Sequence, residues 1–245
     1  MTGLSDRQLL YIWEVGKGHA PLMKALIILS TALPDEPWEA LAQLPLGRRD
    51  ARLFRIREAT FGQAMSCVVK CPNCLNTLEF SLTREALVPD ETEVPEALPL
   101  RTRFKGYAID YRLPNSEDMA ALIRLNTPEE METRLLQRCL LSVKKGRRRL
   151  ESEEIPPSLR SELVEHICNA DPLAKVELHL ECRECGHRWT TPFDIIHYFW
   201  EEIAHHARGL LEQIHALARA YGWGEEEILR LSPHRRNTYL EMIYG

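Results

Sequence analysis

Val69-Lys70-Cys71-Pro72-Asn73-Cys74 and Leu180-Glu181-Cys182-Arg183-Glu184-Cys185 share one grammar: an extended run, then two cysteines with two residues between them. Val68-Val69-Lys70 enters the first pair and Thr77-Leu78-Glu79-Phe80-Ser81-Leu82 leaves it. Val176-Glu177-Leu178-His179-Leu180 enters the second, and Arg188-Trp189-Thr190-Thr191 leaves it. Alternation on both sides predicts a β-hairpin at each pair, with the thiols at the turn. Cys71, Cys74, Cys182 and Cys185 then offer four soft sulfur ligands. Such a set suits one tetrahedral Zn2+ with no open position, which makes the expected site structural. Residues 75–181 separate the pairs, more than a compact ribbon holds, but ligands need to be neighbours only in space. Two unrelated reduced pairs are the bland alternative. A shared ion could contribute on the order of 10 kcal/mol to ordering the two hairpins as one unit.

The other cysteines sharpen this reading. Seven cysteines, with no basic and apolar leader in Met1-Thr2-Gly3-Leu4-Ser5-Asp6-Arg7, argue against a disulfide framework and for a cytoplasmic setting. Cys67, Cys139 and Cys168 have apolar neighbours and read as core residues. His187, two places after Cys185, reads as lying outside a ligand set already complete. A thioredoxin-type redox role needs a strand-to-helix context that neither pair has, and an iron–sulfur carrier lacks evident chemical partners.

Working outward, Ser5 caps an expected helix carrying Leu9, Leu10, Ile12 and Trp13. Pro21 opens another with a broad apolar stripe up to Leu33. Leu44-Pro45-Leu46-Gly47-Arg48-Arg49-Asp50 is a turn feeding a further helix through Phe61. Asp90 to Pro99 is acidic and proline-bearing and reads as a linker. Arg101 to Leu113 alternates around Lys105-Gly106 as a hairpin, and helices are expected to begin at Asn115, Thr127 and Ser158. Asp194 caps a long helix in which Trp200, Ile203, Ala207, Leu210, Ile214, Leu217 and Tyr221 form a heptad-like seam. Gly222 and Gly224 end it, and two short helices follow. The expected class is α+β, mainly α. The expected units are a helical region 1–66, a first zinc half-site 67–88, an inserted hairpin-plus-helices subdomain 89–172, a second half-site 173–193 and a helical region 194–245.

Composition bounds the function. The 245 residues are 44% hydrophobic and 27% charged, which fits a chain with a packed core. A net charge of −5 argues against a surface committed to nucleic acid or anionic lipid. The longest apolar run, Ala25 to Leu29, is far short of the roughly 20 residues a bilayer span needs. Lys144-Lys145-Gly146-Arg147-Arg148-Arg149 could meet phosphates, but it is placed between two helices beside Glu151, Glu153 and Glu154 and reads as a solvated loop. Glu201/His205 and Glu202/His206 sit at helical spacing without a full ligand set and read as a solvated face. No phosphate loop, nucleophile elbow or carboxylate dyad appears, so an enzyme is not expected.

Gly47-Arg48-Arg49-Asp50-Ala51-Arg52-Leu53, running on to Arg57-Glu58-Ala59-Thr60-Phe61-Gly62 and the Cys71/Cys74 knuckle, resembles the T4-type phage baseplate hub assembly family of contractile tails and related injection systems. Ala220-Tyr221-Gly222-Trp223-Gly224 through Ser232-Pro233, Arg236, Tyr239 and Leu240 is similar to that family's C-terminal helical motif. The resemblance implies a non-enzymatic assembly factor or component of the baseplate hub, with baseplate, hub or spike proteins as partners. Arg48, Arg49 and Asp50 are its candidates for positioning a partner, against an internal salt bridge. Trp200, Tyr221 and Trp223 are of types that anchor interfaces, against the plainer reading that the seam packs into the protein's own core. The competing reading is a zinc-ribbon nucleic-acid-binding regulator, resting on the knuckles, the basic run and a helix-turn-helix-like C-terminus.

Overall fold

The computed structural model describes residues 2–88, 99–151 and 154–245. The expected linker from Asp90 falls, up to residue 98, outside the described residues. The fold is mainly α with small antiparallel sheets, as the sequence leads one to expect. Ser5 and Gln8 form a complete capping box at the start of α1 (Asp6–Gly16), and Pro21 opens α2 (Pro21–Ala32). A short α3 (Trp38–Ala42), not anticipated from the sequence, leads to α4 (Leu46–Phe61). Then β1 (Met65–Lys70) pairs with β2 (Thr77–Leu82), followed by α5 (Arg84–Leu87).

The insert forms a four-stranded sheet in simple sequential order: β3 (Leu100–Phe104), β4 (Tyr107–Tyr111), β5 (Leu140–Lys145) and β6 (Arg148–Leu150). Between its two hairpins run α6 (Ser116–Leu122) and α7 (Pro128–Cys139), and α8 (Pro157–Asn169) follows. Tyr107, Ile109, Tyr111 and Val143 bury one face of the sheet against Leu136, Leu163 and Ile167. This corrects the reading of Lys144 to Arg149 as a loop between two helices. Lys144 and Lys145 belong to β5 and Arg148 and Arg149 to β6, with Gly146 in the turn at φ 61°. No alternation is legible there because Lys144, Lys145, Arg148 and Arg149 lie at the far end of the hairpin, where successive positions of both strands are exposed. Asp118, fully buried, is held by Arg112 through two hydrogen bonds, by Arg138 at 2.6 Å and by the Asn115 backbone N–H at 2.9 Å. Burial raises its carboxyl pKa, but the arginine and backbone hydrogen bonds outweigh that and leave it lowered.

After a 3-10 turn (Pro172–Ala174), β7 (Glu177–Glu181) pairs with β8 (Arg188–Pro192), and Asp194 caps α9 (Ile195–Tyr221) by accepting from Ile196 and His197. α10 (Glu225–Arg230) and α11 (Pro233–Tyr244) fold back on it. The helix α9 serves two cores. Its first half, with Phe199, Trp200 and Ile203, packs with Leu9, Ile12, Ile28, Leu53, Phe54 and Ile56. Its second half, with Ala207, Leu210, Ile214 and Leu217, packs with Leu10 and Ile228 and with Tyr239 and Leu240 alongside. The seam is therefore internal along its length, except at Tyr221. Cys67 and Cys139 are buried as expected, but Cys168, near the end of α8, is exposed.

Two long-range contacts lock this arrangement. The first joins α4 to the end of the insert: the Gly47 N–H donates to Asp171 Oδ2 at 2.8 Å, so a residue far along the chain caps the helix. A Cβ on residue 47 would lie 1.9 Å from Asp171 Oδ1 and 2.9 Å from the Leu173 Cβ. Only glycine permits that approach. Gly47→Ala should therefore cost roughly 2–4 kcal/mol in urea unfolding, whereas Gly222→Asn, at an open left-handed position with φ 69° and ψ 17°, should cost under about 1 kcal/mol.

The second contact joins the two ends of the chain. Asp6 accepts from His206 Nε2 at 2.8 Å and from the buried Arg236 guanidinium. The His206 hydrogen bond, with help from Arg236 and against the effect of burial, lowers the Asp6 carboxyl to about 2. Its folded value lies below its unfolded one, so its stabilisation is present above about pH 4 and disappears as pH falls towards 2. Asp6→Asn should remove roughly 1–2 kcal/mol at pH 7 and flatten that acid limb in a pH series of denaturation midpoints.

Candidate metal centre

The two knuckles are built alike at the level of single hydrogen bonds. The Cys71 N–H donates to the Asn76 carbonyl at 2.9 Å, and the Cys182 N–H donates to the His187 carbonyl at 2.9 Å. The Leu75 N–H returns to the Cys71 carbonyl and the Gly186 N–H to the Cys182 carbonyl, both at 2.9 Å. This turn needs a left-handed residue after the second cysteine. Gly186 supplies it at φ 70°, whereas Leu75 takes it at φ 62° with a cost on the order of 1 kcal/mol.

The structure brings all four cysteines together. Their sulfurs lie within 4.8 Å of one another, with Cys71 Sγ to Cys185 Sγ at 3.7 Å and Cys74 Sγ to Cys182 Sγ at 3.6 Å. A tetrahedron with metal–sulfur bonds of about 2.3 Å has edges of about 3.8 Å, whereas a disulfide requires about 2.05 Å. The donor set and spacing fit one tetrahedral metal ion. Cys71 and Cys182 are buried, and Cys74 and Cys185 face outward. The Cys185 thiol is held down to about 6, first by the His187 backbone N–H and then by the Asn73 side-chain amide, which lies 3.6 Å from its sulfur. Cys74 is pushed up to about 12: the Asn76 backbone opposes the rise, but the neighbouring thiols, Cys185 foremost, prevail. One acidic thiol, Cys185, beside one resistant thiol, Cys74, is what a crowded cluster of like groups produces.

The hairpins reach one another because their stems are tied to α4 and α9. β1 leaves α4 after one turn of chain, and β8 runs into α9. The buried Arg57 donates to Glu202 of α9 at 2.8 Å, to the Gly62 carbonyl at 2.7 Å and to the Ala64 carbonyl at 2.9 Å. The Tyr198 hydroxyl donates to the Ser66 carbonyl at 3.1 Å. Sequence reasoning missed Arg57, Asn73 and Tyr198, because a buried cation has no local signature in a helix rich in arginine. It also placed Glu202 and His206 on a solvated face. Glu202 pairs with Arg57 and His206 with Asp6, while Glu201 and His205 are exposed.

The remaining singled-out residues lie apart from the sulfur cluster. His187 is no part of it; its ring stacks on Trp189 at 5.9 Å. Arg49 donates to Asp50 at 2.7 Å and to Ser116 at 3.3 Å, so this pair bridges α4 to the insert, and burial raises the Asp50 carboxyl against the pull of Arg49. Arg48 sits half-buried on the same turn. Trp200 is buried against Gly16 with Lys24 over its ring at 4.1 Å. Tyr221 and Trp223 stack at 4.7 Å with Tyr239 edge-on at the α9–α11 corner.

Cobalt titration offers a direct check of the ligand set. The wild type and His187→Ala should both develop the intense thiolate-to-metal absorption of a four-sulfur site, and Cys182→Ser should lose it. Equal loss in His187→Ala would make the imidazole a ligand.

A family model described as T4 bacteriophage base plate protein matches residues 21–200. The match takes in the Gly-Arg-Arg-Asp helix, both cysteine pairs and the whole insert, whereas the similarity drawn from Ala220 to Leu240 lies beyond it. Comparison with curated proteins and with solved structures gives no match. With the family model covering well over half of its length, the chain belongs to the T4 bacteriophage base plate protein family.

Proposed function

We propose that this protein is a non-enzymatic, zinc-stabilised component or assembly factor of the baseplate hub in a contractile phage tail or contractile injection system. Membership of the baseplate family supplies the structural role in the particle. The closed cluster of four sulfurs is the observation that carries the rest. Four thiolates select zinc over hard cations and leave no coordination position for a substrate or an activated water. The ion then acts as a rivet between two hairpins separated by residues 75–181, holding α4 and α9 in register for contact with hub or spike proteins. The assembly step itself would take place in the cytoplasm. No helix is long and apolar enough to cross a membrane. Tyr221 and Trp223, aromatic and partly open at the α9–α11 corner, are the contact candidates among the six residues singled out. Arg49, Asp50 and Trp200 serve the fold itself.

The test is affinity capture of the tagged chain from cells co-expressing the neighbouring baseplate, hub and spike genes, with zinc measured on the same sample. About one zinc per chain and salt-resistant recovery of a tail protein are expected, both lost in Cys182→Ser. Recovery of nucleic acid alone, falling steeply with salt, would move the assignment to the zinc-ribbon regulator.

A further inference from the structure

The register of the insert's sheet sets Arg103 of β3, Ala108 of β4, Lys144 of β5 and Arg149 of β6 opposite one another in a single row. Tyr107, Ile109 and Val143, their neighbours in sequence, are buried on the side of Leu136, Leu163 and Ile167. By the alternation of a strand the row therefore stands on the other face, and all four of its residues are exposed. With strands about 4.8 Å apart the three cations span about 14 Å, and only a methyl group lies between Arg103 and Lys144.

Two observations set the row apart from an ordinary solvated face. Other cations of the same hairpins have acids: Arg101 donates to Asp110 at 2.6 Å, Lys105 pairs with Glu162, and Arg148 pairs with Glu154. Among the described residues Arg103, Lys144 and Arg149 form no ion pair. Asp110, the acid on this face, is held by Arg101 and feels Lys144 only through space. Lys144 and Arg149 are also direct cross-strand partners, and like charges set opposite one another destabilise a sheet. An anion laid across the row removes that repulsion.

We propose that this row is a contact site for the phosphate backbone of a nucleic-acid duplex, bound without reading its sequence and in addition to the assembly role. The make-up of the face selects this occupant over an acidic protein segment. A protein interface is centred on apolar or aromatic anchors, and the row with its flanking positions Arg101, Asp110 and Ser142 offers none beyond the Ala108 methyl. Leu141, the exposed apolar residue of β5, stands at the bulge, about 10 Å along the strand from Lys144. Phosphates need only cations. The absence of aromatic rings from these positions also leaves no platform for stacking unpaired bases, which favours a duplex over a single strand. The net charge of −5 weighs against a whole surface given to nucleic acid, but not against one face on which four cations meet one carboxylate.

Fluorescence anisotropy of a labelled 20-base-pair DNA duplex of arbitrary sequence, titrated with the full-length, metal-loaded protein across a salt series, tests this. Binding with Kd of about 10⁻⁴ to 10⁻⁶ M is expected, indifferent to sequence, with log K falling against log salt at a slope of about −3 for three neutralised phosphates. Arg103→Gln, Lys144→Gln and Arg149→Gln should each raise Kd about fivefold and make the slope shallower by about 1, and the triple variant should abolish binding. Arg208→Gln, which removes an exposed cation from α9, should bind like the wild type. Metal content and thermal midpoint should not fall in any variant, since every position is exposed. A wild type that leaves the duplex free at low salt would overturn the proposal. So would a triple variant that still binds, equal weakening in Arg208→Gln, or preference for poly-glutamate over the duplex at matched charge, which would make the occupant an acidic protein.

Discussion

The buried Arg57 guanidinium is the contact on which the rest of the molecule depends. It reaches Glu202 on α9 and the Gly62 and Ala64 carbonyls at the mouth of β1, so one planar fork ties the end of one helix, the following turn and a distant helix together. A carboxylate and two carbonyls satisfy its donors, which is the condition under which a buried charge can be kept. Because β1 starts at this junction and β8 runs into α9, fixing it aims both cysteine hairpins at one point. The four-sulfur cluster is thus assembled by packing far from the sulfurs themselves.

The same economy appears at the other junction. Asp171 reaches across from the end of the insert to cap α4 at Gly47, while Arg49 binds Asp50 and Ser116 on the next turn. Arg49, Asp50 and Asp171 are thereby the cement between the insert and the helical body.

Much of this was legible beforehand because its causes are local. Ser5, Asn115 and Asp194 announce helix starts through side chains that reach only two or three residues. Alternation flanks both cysteine pairs, and a three-and-four spacing marks the buried side of α9. Other features left no such trace. The strands β5 and β6 looked like a cationic loop, since the far end of their hairpin is exposed and carries lysine and arginine in place of β-formers. Cys168 shared apolar neighbours in sequence yet lies on the outside of its helix.

The sequence by itself therefore determined most of the elements, the caps made by neighbouring side chains and the four cysteines that cluster, since each depends on residues within one or two turns of chain. Tertiary structure decided which charges are buried and paired, why residue 47 must be glycine, and that the two knuckles meet. Arg57 with Glu202 and Gly47 with Asp171 are bonds between residues far apart in the chain. Nothing in the neighbourhood of either partner specifies the other until the cores around α9 bring them within reach.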